Sequence, residues 1–199
     1  MSQPTDPSIL SPLGQPTEYR ADYAPELLFP IPRQLKRDEL GISGATLPFV
    51  GEDLWNAYEV SWLNPKGKPV VALATFRVPA NSPNLIESKS FKLYLNSFNQ
   101  TAFADAATVE KTLVRDLSSA AGAPVSAKIE VLSGRPQVLL GYPQGILLDE
   151  LDISCTTYQP APALLAAVDG QKTEETLYSH LLKSNCLVTG QPDWAMVVI

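Results

Sequence analysis

The stretch WNAYEVSWLNPKGKPVVALATFRV, from Trp55 to Val78, decides the fold. Its first nine residues have the aromatic and β-branched content of a strand, and the NPKGK segment that follows has the composition of a turn. The PVVALATFRV segment then predicts a longer and mostly buried strand. We therefore predict a β-hairpin here, as the start of an antiparallel sheet.

Two amphipathic helices are predicted after this hairpin. In ESKSFKLYLNSFNQ, the residues Phe91, Leu95 and Phe98 recur at the i, i+4, i+7 spacing of one helical face. Asp105 can cap the start of the second helix, and Gly122 lies just past its end. The apolar stripe of that second helix consists of Val109, Leu113 and Leu117.

Two further strands are predicted after the helices. VSAKIEV alternates as a half-buried strand does, and ILLDELDISC, which ends at Cys155, predicts a return strand. The resulting order of hairpin, two helices and two strands indicates an α+β fold with one antiparallel sheet that carries both helices on one face. A strand–turn–strand pattern then begins again, with TLYSHLLKSNC and WAMVVI on the two sides of a Gly190-Gln191-Pro192 turn.

These patterns predict three regions along the chain. Residues 1–50 are rich in proline and turn residues and predict an irregular arm, in which LLFPIPR packs as an extended strap. Residues 51–156 form the first module. Residues 157–199 form a linker and the first hairpin of a second, similar module.

Composition limits the classes of function. Of the 199 residues 45% are hydrophobic, which is enough for a packed core, and no apolar run approaches the roughly 18 residues of a membrane span. A net charge of -6 argues against direct binding of nucleic acid. Two cysteines and no secretory signal favour the cytoplasm. A small molecule or another protein is the expected partner.

The second cysteine, Cys186, is the candidate nucleophile. A free cysteine is most often a buried apolar residue, and we expect this of Cys155. Cys186 instead opens a turn-rich loop, and the turn can bring Asp193 back to it. Like charges repel, so this pair suits a thiolate beside a protonated acid, as needed for addition to a nitrile or an imine. His180 is too far along a strand for a Cys–His pair, and we expect it to pack or lie on the surface.

A metal site is not predicted. Two cysteines and one histidine are too few for a zinc site without carboxylate ligands, and no ligand spacing occurs.

Two longer motifs carry a family resemblance. LIESKSFKLYLNSFNQT (Leu85 to Thr101) and LKSNCLVTGQPDW (Leu182 to Trp194) resemble motifs of the NADPH-dependent 7-cyano-7-deazaguanine reductases, the nitrile reductases of queuosine biosynthesis. LWNAYEVSWLNPKGKPVV and PTEYRADYAPELLFPIPR resemble the long, two-module form of that family. The resemblance implies the tunnelling fold, whose module is a hairpin, two helices and a hairpin, and it implies a homo-oligomer.

The same resemblance implies roles for individual residues. Cys186 would add to the nitrile carbon of 7-cyano-7-deazaguanine and form a covalent thioimide, with Asp193 as the proton donor. Two hydrides from NADPH would then give 7-aminomethyl-7-deazaguanine, without a metal. The implied substrate contacts are Ile86, Glu87 and Ser88, and the implied NADPH contacts are Ser88 and Lys89.

These roles are chemically reasonable for the residue types. Glu87 can accept hydrogen bonds from the donor edge of a guanine-like ring. Lys89 supplies a charge for a phosphate, with Lys92 as a possible assistant. The predicted helix start near Ser88 adds backbone donors for an anion. No G-x-G-x-x-G motif occurs, so NADPH rests on the resemblance alone.

The match stops in the second module. The family's His-Glu and Arg-Gly pairs, which help to hold the base and NADPH, do not occur after the cysteine motif. We therefore expect an N-terminal piece that is complete in its first module and has little turnover alone. The alternatives are a non-catalytic purine- or pterin-binding module and an unrelated cysteine hydrolase or transferase, which would need a base for the thiol.

Overall fold

A computed structural model describes residues 16–42, 46–134, 141–159, 161–166, 170, 172–185 and 190–199. The chain divides into two compact units, Met1–Val138 and Leu139–Ile199. The sequence interpretation places the module boundary later, after residue 156. The division comes earlier because a short strand at Ile146–Leu147 pairs within the second unit and not with the first sheet.

The helices and strands follow one another in a simple order. The first unit contains β1 (Pro30–Pro32), α1 (Gln34–Glu39), β2 (Glu52–Leu63), β3 (Pro69–Pro79), β4 (Asn84–Ile86), α2 (Ser88–Asn96), α3 (Ala106–Ala121) and β5 (Ser126–Val131). The second unit contains β6 (Ile146–Leu147), β7 (Leu177–Asn185) and β8 (Pro192–Val198). Helices next to antiparallel sheet confirm the α+β class. No helix in the described ranges has the length and apolar content that a membrane span requires.

The predicted hairpin is confirmed as β2 and β3. These strands pair antiparallel, and β5 joins the other edge of β3 to give the order β2-β3-β5. The turn is held by Asn64, whose side-chain oxygen accepts hydrogen bonds from the Lys66 and Lys68 N–H groups at 2.9 and 3.0 Å. Gly67 supplies the positive φ of 77° that this turn needs.

Strand β2 contains a β-bulge. Its register with β3 shifts between Ala57 and Val60, so Tyr58 and Glu59 have no single partner on β3. A bulge of this kind kinks an edge strand and turns its side chains toward a new direction. The bulge lies beside α2 and shapes the candidate site.

The second predicted helix, α3, is confirmed together with both of its ends. The Asp105 carboxylate accepts a hydrogen bond from the Thr108 N–H at 2.7 Å, and Gly122 takes the left-handed conformation with φ of 70°. The predicted stripe is fully buried, at Val109, Leu113 and Leu117.

The first predicted helix is shorter than the apolar spacing suggests. α2 ends at Asn96, so Phe98 lies beyond the helix, although its side chain is buried. Tyr94, within the helix, is also buried, and its hydroxyl donates to the Asp116 carboxylate at 2.7 Å. The packed rings of Tyr23, Tyr94, Phe98 and Phe103 fix the end of the segment.

The extended strap predicted at LLFPIPR is confirmed, within an arm that is less irregular than expected. β1 pairs antiparallel with β4, and α1 follows it inside the range 1–50. Tyr23, just before the strap, donates a 2.5 Å hydrogen bond to the Asp116 carboxylate, which lies on α3. Burial raises the pKa of Tyr23 to about 12, and this hydrogen bond is the second cause of the increase.

The second unit is a small three-stranded sheet. β6 pairs parallel with β7, and β7 pairs antiparallel with β8, which confirms the predicted late hairpin. The strand predicted through Cys155 is wrong, since residues 151–158 form no strand and Cys155 is exposed, not buried. The ladder stops because the Asp149 carboxylate accepts the His180 N–H at 3.2 Å, in place of a backbone carbonyl.

Candidate functional site

Glu87 is the best-defined residue of the candidate site. It is the N-cap of α2, and its carboxylate accepts hydrogen bonds from the Lys89 N–H at 2.8 Å and the Ser90 N–H at 2.7 Å. Its side chain is buried, with only 4% of the residue exposed. A carboxylate at a helix N-terminus is favoured by the helix dipole, so the helix itself stabilises the negative charge.

The strap holds this cap from the other side. The Glu87 N–H donates to the Phe29 carbonyl at 3.0 Å, and the Phe29 N–H donates to the Ser90 hydroxyl at 3.0 Å. The Ser90 hydroxyl in turn donates to the Glu87 carbonyl at 2.7 Å. The start of α2 is therefore fixed by long-range contacts as well as by its own cap.

The other residues of the IESK motif differ in burial. Ile86 is buried at the end of β4, opposite Pro30, whereas Ser88 is exposed as the first residue of α2. Lys89 is half-buried. The backbone donors expected for an anion at this helix start include the Lys89 and Ser90 N–H groups, and both already donate to Glu87. An anion here would therefore depend on side chains.

A pocket of about 230 Å³ lies between the bulged part of β2 and α2. The strand side carries Trp55, Asn56, Tyr58 and Glu59, and the helix side includes Ser88, Lys92 and Asn96. The buried rings of Phe76 and Phe91 also line it. The pocket thus combines aromatic surface, one cation and one anion next to the IESK motif.

The strand side of this pocket is absent from the sequence prediction, although the sequence contains a signal for it. The apolar residues of β2 that belong to the core or pack against it are Trp55 and Ala57, then Val60 and Trp62. Their change from odd to even positions requires an extra residue in the strand, which is the definition of a bulge. The run WNAYEVSW therefore predicts the bulge, though not the pocket beside it.

Asp193, the predicted proton donor, lies on β8 of the second unit. It is exposed and faces Ser184 of β7 in the register of the hairpin, and its side chain makes no hydrogen bond or ion pair to any described residue. Cys186 lies outside the described residues. The approach of the thiol to the Asp193 carboxyl therefore stays a prediction.

His180 is a surface residue of β7, in agreement with the sequence analysis. Its Nδ1 atom lies 3.0 Å from the Asp149 carboxylate, and 44% of its side chain is exposed. Hydrogen bonds from Ser179 first, and then from His180, hold the pKa of Asp149 below its usual value near 3.8. Among the described residues, no group of three or more His, Cys, Asp or Glu side chains is arranged to hold a metal ion.

Comparison with known proteins identifies the family. The N-terminal family profile described as nitrile reductase, 7-cyano-7-deazaguanine-reductase, matches residues 19–129. The NADPH-dependent 7-cyano-7-deazaguanine reductase of Dechloromonas aromatica (strain RCB) is 73% identical over 194 residues, which are 98% of this chain and 69% of the relative. The reductases of the same name from Aromatoleum aromaticum and Azoarcus sp. are 67% and 63% identical, each over 95% of this chain and 67% of the relative. The chain belongs to the family of NADPH-dependent 7-cyano-7-deazaguanine reductases.

Proposed function

We propose that this chain carries out the NADPH-dependent reduction of the nitrile of 7-cyano-7-deazaguanine to 7-aminomethyl-7-deazaguanine, a step that serves queuosine synthesis in the cytoplasm. The observation that carries this proposal is the 73% identity with a reductase of that name over 98% of the chain. The geometry of Glu87 supports it, because the buried carboxylate is fixed by two backbone N–H groups before any ligand arrives.

Glu87 is the proposed contact for the base. An ionised carboxylate offers about four acceptor positions, of which the two N–H groups of α2 use two, and the Ser88 hydroxyl donates to the same carboxylate over a longer 3.4 Å. The positions not used by the backbone suit the adjacent N–H donors of a guanine-like ring. Ile86 would supply an apolar edge beside the ring, and Ser88 a hydroxyl at the exposed end of the motif. Lys89 would contact NADPH together with Ser88.

Cys186 and Asp193 are the proposed catalytic residues. The thiolate sulfur of Cys186 forms a bond to the nitrile carbon, and one π bond of the nitrile opens toward the nitrogen. Asp193 gives the proton that this nitrogen takes up, and the product is a covalent thioimide. Two hydrides and one further proton then reduce the carbon to the aminomethyl group and release the thiolate, with two NADPH oxidised to NADP⁺.

The second hairpin supports the proposal of two similar tunnelling-fold modules. In the first hairpin the register shifts between Ala57 and Val60 and the strand ends at Leu63. In the second it shifts between Ser179 and Leu182 and the strand ends at Asn185, at a constant offset of 122 residues. The second strand of each hairpin begins at a proline, two residues after a glycine of positive φ, with Gly67 before Pro69 and Gly190 before Pro192. We expect the modules to associate as a homo-oligomer.

The test is the covalent adduct. The 199-residue chain is incubated with 7-cyano-7-deazaguanine in the absence of NADPH, and its intact mass is measured. A gain of one nucleobase is expected for the unchanged chain. Cys155→Ala, which removes the other cysteine, should keep the gain, and Cys186→Ala should lose it.

The same experiment can contradict the proposal. A chain that gains no mass, while a full-length relative treated in parallel gains one nucleobase, would show that this chain alone does not form the thioimide. Binding of the base without any adduct, measured by calorimetry, would favour the non-catalytic purine- or pterin-binding module. The fixed carboxylate of Glu87 would suit that function without the cysteine.

A further inference from the structure

We propose that Ser90 is a positioning residue for the base, because its buried hydroxyl joins the strap to Glu87 and holds the Glu87 carboxylate in the orientation that a guanine-like ring requires. The inference deepens the proposed function and rests on it, since Glu87 is the proposed contact for the base. It assigns part of the affinity for the substrate to the strap, through a serine that acts on Glu87.

The link between the strap and Glu87 is a closed ring of three hydrogen bonds. The Phe29 N–H donates to the Ser90 hydroxyl at 3.0 Å, and this hydroxyl donates to the Glu87 carbonyl at 2.7 Å. The Glu87 N–H donates in turn to the Phe29 carbonyl at 3.0 Å. The groups of Phe29 and Glu87 in this ring are backbone groups, which a substitution leaves in place. The ring therefore depends on the side chain of Ser90.

Burial makes the Ser90 hydroxyl difficult to replace. Ser90 is 0% exposed, so water does not compete for its hydrogen bonds. An alanine at this position would leave the Phe29 N–H without its acceptor, and the Glu87 carbonyl would keep only the Phe91 N–H, at 2.9 Å. An unpaired polar group in a closed site is costly, so the strap and Glu87 would shift relative to each other.

A small shift of Glu87 is enough to change how the base is bound. Only 4% of the residue is exposed, and its two carboxylate oxygens already accept the Lys89 and Ser90 N–H groups. The direction of the carboxylate therefore decides whether its other acceptor positions meet two adjacent N–H donors of the ring. Paired hydrogen bonds of this kind depend strongly on geometry, and a binding group must be held to within roughly 0.5 Å.

The strap does not need Ser90 in order to stay on the first unit. β1 pairs with β4 along three residues, and Arg33 at the end of the strap donates its N–H to the Pro83 carbonyl and its Nε–H to the Ser82 hydroxyl, both at 3.0 Å. Loss of the Ser90 hydroxyl should therefore change the position of Glu87 locally and not release the strap.

Ser97 provides a matched control on the same helix face. It lies seven residues after Ser90 and is also 0% exposed. Its hydroxyl accepts from the Ala24 N–H of the arm at 3.0 Å and donates to the Tyr94 carbonyl, three residues earlier, at 2.6 Å. Ser97 thus makes the same pair of hydrogen bonds as Ser90, but two turns away from Glu87.

The test compares Ser90→Ala with Ser97→Ala in the 199-residue chain. Every chain also carries Cys186→Ala, so that 7-cyano-7-deazaguanine binds reversibly, and its dissociation constant is measured by calorimetry. Urea unfolding followed by far-UV circular dichroism measures the stability of each chain. Ser90→Cys and Ser97→Cys replace the alanine variants if one of these does not fold, because a thiol is only a weak donor and acceptor.

Ser90→Ala should bind the base more weakly by on the order of tenfold, the size of effect that outer hydrogen-bond partners have in metal sites. Ser97→Ala should bind it as tightly as the parent chain, although both variants lose similar stability. The inference is overturned if Ser90→Ala binds as the parent chain does, if Ser97→Ala weakens binding as much, or if the parent chain does not bind the base.

A second measurement separates binding from chemistry. In chains that keep Cys186, the rate of thioimide formation is followed by intact mass at a series of base concentrations. Ser90→Ala should raise the concentration that gives half of the limiting rate and leave the limiting rate unchanged, because Ser90 acts on Glu87 and not on the thiol. A lower limiting rate at an unchanged half-saturating concentration would also overturn the inference.

The proposed function is judged separately in the same experiments. Absence of the adduct in every chain that keeps Cys186 would contradict the proposed function. The calorimetric comparison would still decide the role of Ser90, because it needs neither the cysteine nor NADPH.

Discussion

The hairpins β2–β3 and β7–β8 have the same bulge spacing, and each has a glycine of positive φ two residues before its second strand, yet their side chains differ in burial. Val60 is 2% exposed, whereas Leu182, its counterpart in the second hairpin, is 47% exposed. In the first unit α2 and α3 cover the sheet, and the described residues of the second unit include no α-helix. The comparison teaches that the strand pattern specifies a hairpin, while the free energy that stabilises it comes from the helices packed on it.

Truncation of a tryptophan in each hairpin gives the largest expected contrast. Trp62 is 2% exposed, and Trp62→Ala should lower the free energy of unfolding by about 3–5 kcal/mol. Trp194 is 61% exposed and lies near Lys183, so Trp194→Ala should cost at most about 1 kcal/mol. Urea unfolding followed by far-UV circular dichroism measures both. Equal losses would mean that the two hairpins are equally covered in solution.

The two acidic site residues give the next contrast. Glu87→Ala leaves two N–H groups of α2 without their acceptor and should cost about 1–3 kcal/mol. Asp193→Ala removes an exposed carboxyl and should change stability by less than about 0.5 kcal/mol, although nitrile reduction should be lost. Thermal unfolding and thioimide formation are measured on both variants. A stable Glu87→Ala chain would show that the cap contributes little to the fold.

The stability of the first unit at high pH depends on Tyr23. The pKa of Tyr23 is raised to about 12 by burial and then by its hydrogen bond to Asp116, so the folded state keeps this proton longer than the unfolded chain does. Its contribution is complete below pH 10 and is lost as the pH rises from about 10 to 12.

Tyr23→Phe should therefore cost about 1 kcal/mol at neutral pH and reduce the loss of stability between pH 10 and 12. Tyr178→Phe, in the second unit, is the control for replacing a tyrosine hydroxyl. Urea unfolding at a series of pH values measures both variants. The same alkaline loss in Tyr23→Phe as in the unchanged chain would place the titration elsewhere.

The smallest effect is expected at Asp149. Its pKa lies below the usual 3.8, first because of Ser179 and then because of His180, so it stabilises the fold above that pH and ceases to do so as the pH falls through the lowered pKa. Asp149→Asn should lower the melting temperature slightly at neutral pH and leave it unchanged in strong acid. Asp152→Asn, an exposed neighbour, is the control. A larger decrease for the control would disprove the role of Asp149.

Local chemistry explains which parts of the fold were predictable. The Asp105 cap, the left-handed Gly122 and the Asn64–Lys68 turn each depend on residues close together in sequence, and all three are found as predicted. The parallel pairing of β6 with β7 joins segments 31 residues apart and has no local signal. The strand predicted through Cys155 failed because the contact that ends this ladder, between the Asp149 carboxylate and the His180 N–H, is equally distant in sequence.

The sequence predicted which residues belong to the candidate site, and only part of how they are arranged. The IESK motif identified Glu87, but the contact with the strap that holds its cap from the other side depends on Phe29, far away in sequence. The pocket beside it forms where a bulge on β2 meets α2, and no motif contains both elements. Sequence can mark the residues of such a site, while the packing of distant segments gives its shape.

The prolines of the strap protect the outer edge of β1 from pairing with a strand of another molecule. The Phe29 carbonyl accepts a hydrogen bond from the Glu87 N–H, and the Arg33 N–H donates to the Pro83 carbonyl. The backbone N–H and C=O groups of the odd-numbered residues of this segment therefore point toward β4. The outward positions are Pro30 and Pro32, which have no N–H group. A strand from another molecule would meet acceptors there without donors, so this edge resists the strand addition that begins aggregation.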